Sequence, residues 1–218
     1  MTDAATTAAT RNDATSRRSR AKSDRRSQLL AAAEHLFAEH GYLAVRLEDI
    51  GAEAGVSGPA IYRHFPNKEA LLAELLVGIS TRLLAGASEV ADAAPDPDEA
   101  LAALIDFHLD FALGESDLIR IQDRDLNSLP ATAKRQVRRA QRQYVEVWVG
   151  VLRRRQPNLS EASARVMAHA TFGLLNSTAH TVKPATTKSA IKTTESTLRT
   201  VLRAMTVAAL TSAENDTS

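Results

Sequence analysis

The 218-residue chain contains no cysteine, and this absence excludes several kinds of chemistry. Disulfides, thiolate nucleophiles and thiol-based redox sensors all require a cysteine sulfur. Long hydrophobic runs are also missing, because no stretch reaches the ~18 uninterrupted apolar residues of a membrane-spanning helix. The N-terminus has no apolar secretory segment either. We therefore expect a cytoplasmic protein with no membrane partner.

Helix breakers and aromatic residues are scarce, with seven prolines, nine glycines and 4% aromatics. Alanine, leucine, arginine and glutamate dominate, which favours helices. No segment shows the period of two that is typical of a half-buried strand. The sequence predicts an all-α fold with one large or two small cores.

Charge is unevenly distributed, although the formal net charge is only +1. Residues 1–26 carry seven basic and three acidic side chains. Because residues 1–24 also lack aromatic residues, we expect a disordered basic arm there. This arm is either a solubilising tail or a segment that neutralises DNA phosphates.

Apolar residues recur at intervals of three and four along the rest of the chain, which predicts nine helices. A domain is expected at 25–72, a second at 73–212, and a short tail at 213–218. The predicted helices span residues 25–40, 47–54, 57–65, 67–92, 97–113, 117–126, 130–155, 161–182 and 186–212.

The "AGVS" segment at residues 54–57 joins the second and third helices as a helix-turn-helix. Gly55 supplies an unusual backbone dihedral, Val56 fills the joint and Ser57 caps the third helix. Such a unit presents its second helix to the DNA major groove. Ile61 and Phe65 would face the core.

The outward residues of this unit are the candidate DNA contacts. Gly58 allows close approach, and Pro59 and Ala60 offer apolar contacts to thymine methyl groups. Arginine reads guanine or phosphate, and tyrosine and histidine bond phosphate oxygens. Lys68 lies near the positive end of the fourth helix, where phosphates bind. The candidates are Arg46, Gly58, Pro59, Ala60, Tyr62, Arg63, His64 and Lys68.

Residues 25–72 resemble the N-terminal domain of the TetR family of bacterial transcriptional regulators. The resemblance is carried by Ala31 to Tyr42, Asp49-Ile50, Ala54-Gly55-Val56-Ser57, Ile61-Tyr62, His64-Phe65 and Lys68-Glu69. It implies a ligand-responsive homodimeric repressor that binds a pseudo-palindromic operator and is released by a small, hydrophobic effector.

Three features depart from the family pattern. Arg46 replaces a small hydroxyl residue, and its predicted role is a charge-assisted phosphate contact. Pro59-Ala60 replaces a frequent Gly-Thr pair, and Gly51 replaces a common alanine.

Beyond residue 76 the resemblance is one of architecture. It implies that the last two helices pair with those of a second subunit as a four-helix bundle. Two reading helices would then lie ~34–36 Å apart, one DNA turn.

A ligand pocket is expected among the middle helices, where isolated polar groups interrupt apolar faces. An aromatic lining favours a hydrophobic or acyl-type metabolite. His108 is either such a contact or a hydrogen-bonded core residue. The candidates are Phe107, His108, Phe111, Ile119, Gln122, Tyr144, Trp148 and Met167.

Two further patterns leave alternatives open. The charged residues within 119–126 either tie helices together or present a cation to an acidic effector. His169, Phe172, Asn176 and His180 share a helical face, but their spacing differs from that of a helical zinc site. Interface packing is therefore the favoured interpretation, and we expect no metal or cofactor.

Two other classes of function were weighed. The sequence contains no catalytic triad order, phosphate loop, HExxH motif or cysteine nucleophile, so we expect no enzyme. A protein-docking module that reuses the helix-turn-helix remains an alternative, as does a transcriptional activator.

Overall fold

The computed structural model describes residues 3–180 and 188–212. All regular elements within these two ranges are helical, which confirms the all-α prediction. Short 3₁₀ helices follow α6 at Leu126–Ser128 and α8 at Ser177–His180. The α-helices are α1 (Asp3–His40), α2 (Leu47–Glu53), α3 (Gly58–Ile61), α4 (Lys68–Ala93), α5 (Pro97–Gly114), α6 (Ser116–Asp125), α7 (Ala131–Arg155), α8 (Glu161–Asn176) and α9 (Lys188–Ser212).

Helix α1 is much longer than predicted. It begins at Asp3, within the stretch expected to be a disordered arm, and ends at His40. No glycine or proline occurs before Gly41, so no residue in this stretch breaks the backbone hydrogen bonding. Gly41 has a φ of 86° and ends the helix in the left-handed conformation expected of it.

Helix α3 is shorter than the predicted span of 57–65, because regular helix ends at Ile61. Tighter turns continue beyond it: the amides of His64 and Phe65 both donate to the Ile61 carbonyl, at 2.9 and 3.0 Å. Pro66 disfavours helical geometry at Phe65, so the chain leaves the helix there.

Contacts divide the chain into two units, residues 1–75 and 76–218, close to the predicted boundary at 72/73. The N-terminal unit has a small apolar core. Fully buried side chains come from all four of its helical segments and are Leu29, Phe37, Ile50, Ile61, Phe65, Leu71 and Leu72.

Arg26 of α1 connects three parts of the N-terminal unit. Its guanidinium forms a two-point ion pair with the carboxylate of Glu74 in α4. The same group donates to the His64 carbonyl at 2.6 Å and lies 4.1 Å from the centre of the Phe65 ring. The planar guanidinium of Arg26 thus positions His64 and Phe65, at the end of the segment that follows α3.

The C-terminal unit is built around Trp148 of α7, which is fully buried. Apolar residues of α5, α8 and α9 pack in the same cluster, including Leu104, Leu175 and Leu202.

By length and composition, α4 is the one described helix that could cross a membrane. Its Leu71, Leu72 and Leu76 are instead fully buried in the protein.

Replacing Arg26 with alanine should destabilise the N-terminal unit by about 1 kcal/mol, since the ion pair is partly exposed to solvent. Hydrogen exchange of peptides from residues 25–75 measures this loss. Arg25→Ala is the matched control, because among the described residues Arg25 makes a single hydrogen bond, of 3.5 Å, to the Ala54 carbonyl. Equal effects of the two substitutions would contradict the assigned role of Arg26.

Candidate DNA-reading surface and ligand pocket

The turn between α2 and α3 has the predicted backbone conformation at Gly55, whereas Ser57 lies at the N-cap of α3 without the capping hydrogen bond expected of its side chain. Gly55 has a φ of 64°, and the Val56 amide donates to the Gly51 carbonyl at 2.7 Å. A Cβ at position 51 would lie 3.1 Å from the Val56 carbonyl oxygen, tighter than ordinary contact. Glycine therefore lets α2 and the turn approach closely at the position where the family commonly has alanine.

The outer side of α3 is open. Pro59 and Arg63 are exposed, and Gly58 and Ala60 are half-buried. A Cβ added to Gly58 would meet no protein atom within 4 Å, so the fold itself does not require glycine there. Within the described residues no hydrogen bond or ion pair involves the Arg63 guanidinium, which leaves it available to a ligand.

Arg46 precedes α2, and its side chain is exposed. Its backbone amide donates to the Asp49 carboxylate at 2.8 Å. Asp49 thereby satisfies one amide at the helix start, although Arg46 itself lacks the usual capping oxygen. The predicted phosphate contact of the exposed Arg46 side chain stays a prediction.

Tyr62 makes a contact that the sequence analysis missed. Its side chain is 52% exposed, and its hydroxyl donates to the Glu48 carboxylate at 2.6 Å. This hydrogen bond raises the pKa of Tyr62 and lowers the pKa of Glu48. The position of Glu48 in the first turn of α2, beside Arg46, was the available signal.

Lys68, a predicted phosphate contact, binds the α1–α2 loop in this structure. Its ammonium donates to the carbonyls of Tyr42 and Val45 at 2.6 and 2.7 Å. It also lies 4.3 Å from the centre of the Tyr42 ring. Because α4 starts beside the α1–α2 loop, the charge that would meet DNA instead holds that loop.

His64, another predicted phosphate contact, is half-buried. Its Nδ1 atom is buried without a hydrogen-bond partner in the described structure. Desolvation lowers the pKa of His64, and neighbouring cations including Lys22 and Arg26 lower it further. A half-buried neutral ring is a weaker phosphate ligand than the outward histidine predicted.

The C-terminal unit contains a pocket of about 370 Å³, within the range of small-molecule sites. Four of the predicted ligand residues line it: His108, Phe111, Gln122 and Tyr144. The other residues that line it were not among the predicted ligand contacts and are Ser80, Leu83, Asp123, Gln141, Val145, His169, Phe172 and Asn176.

The other four predicted ligand residues do not line this pocket. Trp148 and Ile119 are buried in apolar clusters, and Met167 packs against the main core. Phe107 covers Gly86 so closely that a Cβ there would overlap its ring. Helical spacing placed these residues on an inward face but did not separate core from cavity.

His108 lies at the base of the pocket and bonds to both of its neighbours. Its Nδ1 is 2.8 Å from the Tyr144 hydroxyl, and its Nε2 is 3.1 Å from the Asn176 side-chain oxygen. Since that oxygen accepts, Nε2 carries the proton and the Tyr144 hydroxyl donates to Nδ1. The ring is therefore hydrogen-bonded and also lines the cavity, and its contact with a ligand stays a prediction.

Burial strongly favours the neutral imidazole. Desolvation lowers the pKa of His108 to about 4. The rings of Phe172, Phe111 and Trp148 surround it, with centroids 5.2, 5.9 and 6.2 Å away. The pocket base thus offers a neutral polar group within an aromatic wall.

The arginines of the charged segment 119–126 pair within α6, and one of them also bonds to the 3₁₀ helix after α8. Arg120 pairs with Asp117 and donates to the Ala179 carbonyl at 3.1 Å. Arg124 pairs with Asp125 at 3.0 Å. Only Gln122 and Asp123 of this segment line the pocket, so it presents no cation there.

His169, Phe172 and Asn176 lie on the pocket wall, where interface packing had been favoured. The side chain of His180 lies outside the described part of the chain. Among the described residues no group of three or more histidine, aspartate or glutamate side chains could hold a metal ion.

His108 should make the C-terminal unit sensitive to acid. The unfolded chain binds a proton below the ordinary histidine pKa, whereas the folded chain stays neutral to about pH 4. Stability is therefore lost as pH falls through this window, by at most about 3 kcal/mol. Between pH 7 and 4.5, His108→Gln should lose less stability than the unsubstituted protein.

The single tryptophan, Trp148, lies beside His108, so its fluorescence during denaturant unfolding reports on this unit. His169→Gln is the matched control, since His169 is exposed at the pocket. An unchanged pH dependence in His108→Gln would rule out His108 as the source of the acid sensitivity.

Two family models match this chain. The model of bacterial regulatory proteins of the tetR family matches residues 29–75, and that of the tetracyclin repressor-like C-terminal domain matches residues 94–211. The second covers more than half of the chain. Both lie within the helical units described above.

Curated relatives agree with these matches. The repressor KstR2 of Rhodococcus jostii is 30% identical over 60% of this chain, and the activator FasR of Mycolicibacterium smegmatis is 32% identical over 46%. The chain covers 65% and 46% of their lengths, less than two thirds of each.

Solved structures share the fold. The TetR family regulator PfmR from Thermus thermophilus has a TM-score of 0.70, with 23% identity, and the match covers 84% of this chain and 96% of that one. AibR, solved with isovaleryl coenzyme A and operator DNA, has a TM-score of 0.68 at 18% identity, covering 83% and 97%. FadR from Bacillus subtilis, solved with stearoyl-CoA, has a TM-score of 0.63 at 20% identity, covering 84% and 97%.

The helix-turn-helix, the separate helical unit with its pocket and both family matches lead to one conclusion. The chain belongs to the tetR family of bacterial regulatory proteins.

Proposed function

We propose that this protein is a homodimeric transcriptional repressor whose binding to a pseudo-palindromic operator is controlled by a small effector. The observation that carries the proposal is the surface formed by the outer side of α3 and the residues that follow it. Arg63 is exposed there, close in sequence to Pro59 and Ala60, and its guanidinium has no partner among the described residues. Repressors among the relatives support the direction of regulation.

The DNA-reading surface combines two kinds of contact. Arg63 and Arg46 supply cations for phosphate or guanine, whereas Pro59 and Ala60 present apolar surface to thymine methyl groups. Tyr62 reaches phosphate only after its hydroxyl leaves Glu48, so DNA must replace an internal hydrogen bond. The Glu48 carboxylate therefore disfavours binding of a phosphate at Tyr62 unless the other contacts of the DNA with this surface compensate for the lost hydrogen bond.

Dimerisation through the last two helices would supply the second half-site contact. Helices α8 and α9 expose Val166, Val201 and Met205, which are 69%, 48% and 51% exposed. Large apolar side chains at such exposure suit burial against the same helices of a second copy.

The effector is proposed to be an acyl thioester of coenzyme A. Two structures of the same fold contain such ligands, isovaleryl coenzyme A in AibR and stearoyl-CoA in FadR. The aromatic wall of the pocket offers an acyl group apolar contact, and His108, Tyr144 and Asn176 offer polar contacts beside it.

Helix α4 is the proposed route from ligand to DNA. Its Ser80 and Leu83 line the pocket, and its Glu74 and Lys68 hold Arg26 and the α1–α2 loop in the N-terminal unit. A ligand that binds better to one position of α4 therefore changes the fraction of molecules that have the DNA-binding conformation.

This role needs no catalytic residue and operates where the chromosome is, in the cytoplasm.

Replacing Arg63 with alanine should weaken operator binding and lower the slope of log affinity against log salt by about one unit, if it binds phosphate. Fluorescence anisotropy with DNA flanking the gene measures both quantities. Arg153→Ala is the control, because Arg153 is exposed on α7 in the other unit. A folded protein that retards no DNA at low salt would favour the docking-module alternative.

Replacing Met205 with glutamate should convert the dimer to a monomer, because a buried unpaired charge at the interface is costly. Sedimentation velocity measures the change in mass. Leu43→Glu is the control, since Leu43 is 84% exposed but lies in the N-terminal unit. A Met205→Glu protein that stays dimeric would place the interface elsewhere.

A further inference from the structure

A groove between α7 and α8 continues from the ligand pocket. It has a volume of about 460 Å³ and shares Gln141, Val145 and His169 with the pocket. Its remaining lining residues are Arg138, Arg142, Glu146 and Arg165. These three shared residues place the groove next to the pocket.

The groove carries unneutralised positive charge. Arg138 and Arg142 are one helical turn apart on α7, and both are exposed. No ion pair or hydrogen bond of either guanidinium is present among the described residues. Arg165 differs, because Glu146 and Glu161 hold it at 2.5 and 2.6 Å.

Two free guanidiniums on one side of a groove match a phosphorylated group. The planar donors of arginine bind phosphate oxygens in pairs, with more geometric specificity than a lysine provides. Arg165 keeps its place in the groove through its two carboxylate partners, and the exposed His169 adds a ring nitrogen near the pocket mouth.

We propose that this groove binds the phosphorylated head of a ligand whose uncharged body occupies the adjoining pocket. The inference rests on the proposed effector role of the pocket. It adds that the part of the ligand outside the pocket is phosphorylated and is bound by the groove. The effector is then a two-part molecule, with specificity for the body at His108 and affinity for the head at Arg138 and Arg142.

The same helix supplies a test of whether position or only charge matters. Arg135 and Arg139 are exposed on α7, one turn apart, but neither lines the groove. The double variants Arg138→Ala/Arg142→Ala and Arg135→Ala/Arg139→Ala remove equal charge from one helix. Only the first pair removes groove residues.

Calorimetric titration with isovaleryl coenzyme A should show the difference. The groove variant should bind at least about tenfold more weakly than the unsubstituted protein, and the control variant within about threefold of it. The N-acetylcysteamine thioester of the same acid carries no phosphate. It should bind weakly, with the same affinity for all three proteins.

Three outcomes would overturn the proposal: equal losses in both variants, loss of the phosphate-free thioester in the groove variant alone, or no binding of isovaleryl coenzyme A by any of the proteins. Operator affinity without ligand, measured on the same samples, should be unchanged in both variants. A specific loss in the groove variant would assign these arginines to DNA instead. If the unsubstituted protein binds ligand but no operator, the repressor role fails while the groove assignment stands.

Discussion

The N-terminal unit depends on where one cation, Arg26, is held. Its guanidinium contacts Glu74, the His64 carbonyl and the Phe65 ring, and so joins α1, the end of the reading segment and α4. A helix as short as α3 is unstable by itself, because nucleation costs more than its few hydrogen bonds return. The contacts of Arg26 and the buried side chains of Ile61 and Phe65 therefore hold α3 in its orientation.

The ligand-binding unit is organised around a different kind of polar group. His108 is buried and neutral, and its two ring nitrogens are both bonded, to Tyr144 and Asn176. A buried polar network of this kind is stable only when each member is satisfied. Residues from α5, α7 and α8 must keep their register for these bonds to form. The same register opens a cavity beside an aromatic wall, which links the stability of the unit to its capacity for a ligand.

Several residues make contacts in the structure that the sequence did not predict, and the reason is the same for each. The helical period shows which face of a helix a side chain lies on, but it does not show which side chains of other elements lie next to it. Lys68 had the charge and position of a phosphate contact, yet the carbonyls of Tyr42 and Val45 lie close enough to bind it. Trp148 lies on the same inward face as Tyr144, but only Tyr144 borders the cavity. Glu48 looked like an ordinary first-turn carboxylate until the fold brought Tyr62 to it.

The sequence by itself determined the helical class, the helix-turn-helix and most helix ends, because these follow from local propensity, periodicity and turn chemistry. Gly55 has the positive φ expected of it, Gly41 ends α1 with a positive φ, and Asn67 caps α4 by accepting from the Ala70 amide. Tertiary structure alone decided which cations stay free for ligands and which inward residues enclose a cavity. Those properties depend on side chains distant in sequence, as in the pairing of Arg26 with Glu74 and of His108 with Asn176.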